Sequence, residues 1–239
     1  MKPLTLLILF FLLSHAGNAQ TNPNLRAGAT AEKNLAAIAN VSPGTTGGLG
    51  IDERYSGVKG SPRLFDTLMN SFVKIKDEDI YITIDADIDV EMNRIIFRHP
   101  ATKIMMWLPA GSVEEILVPV GESEKVFRTT EAFSFEKPPA GLKFCQVLYE
   151  GQQTLIMIPG KIFREADYRN IYSADRRYDE FETTIKYYIT GRSGELIQVK
   201  LTESTLIRLF PEKKDQVRQL INAGTSPEDI AVKLLKQKG

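Results

Sequence analysis

Apolar and polar positions alternate along the middle of the chain. In residues 80 to 91 (IYITIDADIDVE), Ile82, Ile84, Ala86, Ile88 and Val90 fall on one side of an extended backbone. Thr83, Asp85, Asp87, Asp89 and Glu91 fall on the other. Period two over this length predicts a strand with one face in a core and one in water. Asp85 is a poor strand former, so a bend or a break is expected inside the run. Further strands are predicted at 94–98, 103–108, 113–118, 125–130, 144–150, 154–159, 180–190 and 196–200. Breakers separate them, among them His99-Pro100, Pro109-Ala110-Gly111, Pro138-Pro139-Ala140-Gly141 and Gly160. Glu150-Gly151-Gln152 reads as a tight hairpin turn, with Gly151 supplying a positive φ, and residues 191–194 read as another. Many short strands with frequent turns predict a mainly β (α+β) fold, an antiparallel sandwich or barrel-like domain over residues 55–200.

The spacing changes to helical over 201–239, which predicts a small C-terminal helical appendage. Thr202 is placed to cap a helix through Leu209, and Pro211 fits the first turn of the next. That helix puts Val217, Leu220 and Ile221 on one face and stops at Gly224. Ser226-Pro227-Glu228-Asp229 predicts a third start: a serine cap, proline at the first position, acids in the first turn. Ile230, Leu234 and Leu235 form its apolar stripe.

The N-terminus has a different pattern. Lys2 precedes the run LTLLILFFLL at 4–13, and Gly17 and Ala19 are small residues at the −3 and −1 places of a signal-peptidase site. Residues 1–19 are therefore read as a signal peptide cut between Ala19 and Gln20. The run is shorter than the roughly 20 residues needed to span a bilayer, and no later stretch supplies a transmembrane anchor. Residues 20–54 are rich in Gly, Pro, Thr, Asn and Ala, and are read as a flexible tether.

The chain has 239 residues with 30 basic and 30 acidic side chains, a formal net charge of zero. That balance argues against nucleic acid as a partner, which calls for a large cationic excess. One Cys and two His leave little for Cys-rich zinc sites or His-based acid–base chemistry. Cys145 lies in an alternating run and is read as buried filler, and His99, before Pro100, is read as a turn residue. Trp107 is read as core, and Tyr187-Tyr188 as one ring on each sheet face. The Arg176-Arg177 pair is read as solvated loop.

Residues 77 to 91 hold seven acids and no bases. Asp85, Asp87, Asp89 and Glu91 are the candidate interaction face, an exposed acidic strand suited to a basic partner. As a calcium loop the run fails, because Val90 stands where Gly is needed and Ile96 where Glu is needed. No metal site, cofactor or catalytic residue is assigned.

The stretch YSGVKGSPRLFD (55–66), the hairpin FCQVLYEGQQTLIMIPGKIF (144–163) and FETTIKYYIT (181–190) before a short helical tail resemble uncharacterised exported proteins of Bacteroidetes-type bacteria. Arg63 stands where that family commonly has an aromatic. The resemblance implies location and layout and brings no catalytic residues. The expectation is an exported, soluble, non-enzymatic binding or interaction module of the bacterial envelope, periplasmic or extracellular, with an envelope protein as partner. A carboxylate-only, glycosidase-like hydrolase and a small apolar-ligand carrier are the alternatives.

Overall fold

Antiparallel pairing organises the protein, whose computed structural model describes residues 47–48, 55, 57–79, 81–166 and 178–237. The expected leader, its cut between Ala19 and Gln20, most of the tether and Arg176-Arg177 lie outside the described residues. The strands are β1 (Gly47–Gly48), β2 (Met69–Ile75), β3 (Tyr81–Asp89), β4 (Arg94–Arg98), β5 (Met105–Pro109) and β6 (Val113–Val120). Then come β7 (Ser123–Thr129), β8 (Phe144–Glu150), β9 (Thr154–Arg164), β10 (Glu180–Thr190) and β11 (Leu196–Val199). They form one sheet in the order β1-β5-β4-β3-β2-β6-β7-β8-β9-β10-β11. The fold is thus mainly antiparallel β with a C-terminal helical region, and the sheet is not closed.

The sheet is strongly curled. Residues 59 to 63 pair at both ends: Lys59 with Glu180 at the start of β10, and Arg63 with Asp89 at the end of β3. In the ladder β3 and β10 are six places apart, roughly 29 Å in a flat sheet at about 4.8 Å per strand. Four residue steps reach at most about 14 Å. The sheet must therefore bend until its two regions fall within reach of this strap. Tyr55 fastens the same junction. Its ring packs edge-on against Phe181, with centroids 4.8 Å apart, and its hydroxyl donates to Glu91 Oε2 at 2.7 Å.

Three apolar clusters follow from the alternation. One face of β2 to β8 buries Val73, Ile82, Ile84, Ile95, Phe97, Ile116 and Phe127. Further along the ladder, Leu155, Ile189 and Val199 meet the helices. The opposite face of β8 to β11 buries Cys145, Ile156, Ile158, Tyr188 and Leu196, with Phe135 edge-on to Tyr188 at 5.2 Å.

The helices are α1 (Glu203–Leu209), α2 (Lys214–Asn222) and α3 (Pro227–Lys236). Thr202 caps α1 by accepting from the Thr205 N–H, and Pro211 opens a single 3₁₀ turn that leads into α2. Ser226 Oγ accepts from the Asp229 N–H at 3.1 Å and donates to its carboxylate at 2.6 Å. Replacing Ser226 by Ala should cost about 1 kcal/mol, the usual worth of such a cap, read as a lowered urea midpoint with an unchanged slope. Tyr187 ties the helices to the sheet, its hydroxyl donating to Glu228 Oε2 at 2.9 Å.

Several expectations need correction. β2 was not anticipated, although it lies inside the ladder between β3 and β6. Its buried positions include Ser71 and its outward positions include Phe72, so its alternation is blurred. β3 is one unbroken strand despite Asp85. β9 runs through the expected break at Gly160 and continues past Pro159. By then it has passed the end of its pairing with β8, so no ladder bond on that side calls for a proline N–H. Gly151 does sit in the β8–β9 hairpin, but its φ is not positive. A side chain there would collide with the Tyr149 hydroxyl. Gly47-Gly48, read as tether, pairs with Trp107 and Met106 on the outer edge of β5.

Candidate functional site

The acidic run does not form an exposed face. Asp85 is exposed, accepting from Asn70 Nδ2 at 3.4 Å, but Asp87 and Asp89 are only 2% and 1% exposed. The reason is the strap. Its backbone pairs along the end of β3, with the Leu64 N–H donating to Ile88 O and the Val90 N–H to Pro62 O. The alternation alone predicts that this acidic side faces water.

Each buried carboxylate has local work. Asp89 accepts from the Met92 N–H and from Arg94 Nε, both at 3.0 Å, which fixes the β3–β4 turn. Asp87 Oδ1 accepts from the Phe65 and Ile88 N–H groups at 3.0 and 2.7 Å. Among the described residues its Oδ2 has no hydrogen-bond partner, and the Arg63 guanidinium stands 4.0 Å away. Burial pushes this carboxyl up to about 6, against the opposing pull of the two N–H groups and Arg63. Glu91 is half-buried and engaged by Tyr55. The four expected site residues thus differ in exposure and partners, and two of them hold the strap and a turn. Among the described residues no group of His, Cys, Asp and Glu side chains is arranged to hold a metal ion.

The other singled-out residues are structural. Cys145 is fully buried, and desolvation pushes its thiol up to about 12, which keeps it protonated and a poor nucleophile. His99 Nδ1 accepts from the Ala101 and Thr102 N–H groups, the expected turn role. Trp107 is half-buried rather than core, with the Arg94 guanidinium 5.9 Å from its ring centre. Neither tyrosine of the Tyr187-Tyr188 pair is a fully exposed platform: Tyr188 is 3% exposed, and Tyr187 packs beside the helices.

A cleft of about 380 Å³ opens where the curled sheet brings distant strands together. The turn after β3 contributes Val90 and Glu91, and the loop before β8 contributes Pro139, Ala140 and Lys143. β9 contributes Ile158, Gly160, Lys161 and Ile162, and β10 contributes Thr184 and Lys186. The register sets Ile158 opposite Lys186 and Gly160 opposite Thr184, so these four share one sheet face. Gly160 is needed there because Thr184 packs against its backbone. A side chain at 160 would place its Cβ 2.7 Å from Thr184 Oγ1, so the threonine hydroxyl lies over the glycine.

The walls are largely apolar, and on this face Lys143 and Lys186 bring positive charge against Glu91. Among the described residues Lys143, Lys161 and Lys186 make no ion pair, and the Thr184 side chain makes no hydrogen bond. An apolar recess with a few convergent polar groups is the usual make-up of a small-molecule site. Sequence reasoning missed it because its lining residues come from separate segments, each of which looks like ordinary surface. The only local hint was Pro159-Gly160 inside an apolar run, where a small residue marks a close approach or a space. No helix among the described residues is long and apolar enough to cross a membrane. Compared with family models, curated proteins and solved structures, the chain matches none.

Proposed function

We propose that the chain is an exported, soluble, non-enzymatic binding module of the bacterial envelope, and that the cleft between β3 and β9–β10 is its contact. The cleft carries the reading: apolar walls, with Lys143 and Lys186 that make no ion pair among the described residues, on a braced sheet. The leader pattern at 1–19 and the resemblance to exported Bacteroidetes-type proteins support the location. Among binding modules the recess favours one that takes a small molecule, because its volume falls in the range of such sites.

The test is capture from the organism's own envelope. The full chain carries a C-terminal tag, is cross-linked in living cells, and is purified for protein and small-molecule mass spectrometry. A mature N-terminus at Gln20 and a reproducible companion, lost when Thr184→Trp fills the cleft, are expected. An unprocessed cytoplasmic protein would overturn the location. Hydrolysis of glycosides by the purified protein would replace the module with the carboxylate enzyme.

A further inference from the structure

We infer that the cleft binds a small organic oxyanion, a single negatively charged head on a short apolar body. The inference rests on the binding-module reading and names its ligand class. Lys143 borders the cleft from the loop before β8 and Lys186 from β10. Lys143 is half-buried and Lys186 exposed, and an anion in the cleft would meet both beside apolar walls, where the attraction is stronger than in open water. Glu91, the acid bordering the cleft, is already engaged by Tyr55 at 2.7 Å. The Thr184 hydroxyl over Gly160 adds a donor that needs no charge.

The chemistry sets the head and the body. Lysines are point charges without the planar fork of arginine, so they accept a carboxylate or a phosphate monoester alike. Ile158 and Val90 offer apolar surface to the rest of the molecule. A volume of about 380 Å³ is near the lower end for small-molecule sites, which suits a short acyl or aryl body rather than a two-chain lipid.

Calorimetric titration of the mature chain, residues 20–239, tests this with four probes sharing one tail: octanoate, octyl phosphate, octylammonium and octan-1-ol. At least one anion should bind one-to-one, at least tenfold more tightly than the alcohol or the ammonium. The Lys143→Gln/Lys186→Gln double variant should lose at least tenfold in that affinity with its melting temperature unchanged. Should the double variant melt early, each single variant should lose part of the affinity. Preference for octanoate would point to free acids, preference for octyl phosphate to phosphate esters, and equal affinity to the shared head charge alone. Equal binding of all four, binding of none, or affinity untouched by the lysine changes would overturn the inference. Such a failure removes only the ligand class. The module itself falls when envelope capture also returns no companion.

Discussion

Raising the pH from 4 to 7 should destabilise the protein relative to its Asp87→Asn variant by about 2 kcal/mol. The Asp87 carboxyl titrates near 6 in the folded protein against an ordinary value of 3.8, chiefly because burial penalises its charge. The folded state therefore holds this proton more tightly than the unfolded chain does. Its contribution to stability is fully present below pH 3.8 and is lost as the pH rises through 6. The full difference is about 3 kcal/mol at about 1.4 kcal/mol per unit, and most of it falls inside the measured window. Asparagine keeps an oxygen for the Phe65 and Ile88 N–H groups and removes the titration. Urea unfolding of both proteins at pH 4, 5, 6 and 7 gives the result directly. A gap that moves the other way would mean that the Arg63 attraction outweighs burial.

Phe210→Ala should cost about 3–5 kcal/mol, the range for emptying a buried aromatic site. Phe210 is 1% exposed at the junction of α1 and α2, in the cluster with Leu206, Val217, Ile230 and Leu234. Helices of seven to ten residues are not stable alone, so they depend on this shared packing. Against a total stability of about 5–15 kcal/mol, the loss is a large share. Urea unfolding measures it, and hydrogen exchange should show early loss of protection over 203–236. Met92→Ala, at a side chain 51% exposed, is the control and should shift stability by less than about 0.5 kcal/mol.

Local rules carried far along this chain. The bounds of β4, β8 and β10 follow from their apolar runs and flanking turns, and α3 begins where its serine, proline and acids place it. Rules of that kind see one strand and its two sides. They fail where a third segment covers a side assumed to face water, as the strap does over Asp87 and Asp89. They also fail where the covered surface is mixed, as in β2 with its inward Ser71. The cleft was illegible for the same reason. Lys143 and Lys186 look like ordinary surface until the curl of the sheet brings their segments together.

The strap also orders the folding of the chain in time. Lys59 has no pairing partner at its site until Glu180 has been made, and Tyr55 has no ring to pack on until Phe163 and Phe181 exist. β2 to β7 can pair locally before that, but the curl is not braced until β10 arrives. A contact so distant in sequence requires a long loop to close, which makes for slow folding and a late final step. A chain emerging from its N-terminus therefore remains unlatched until Glu180 and Phe181, well into its second half, are present.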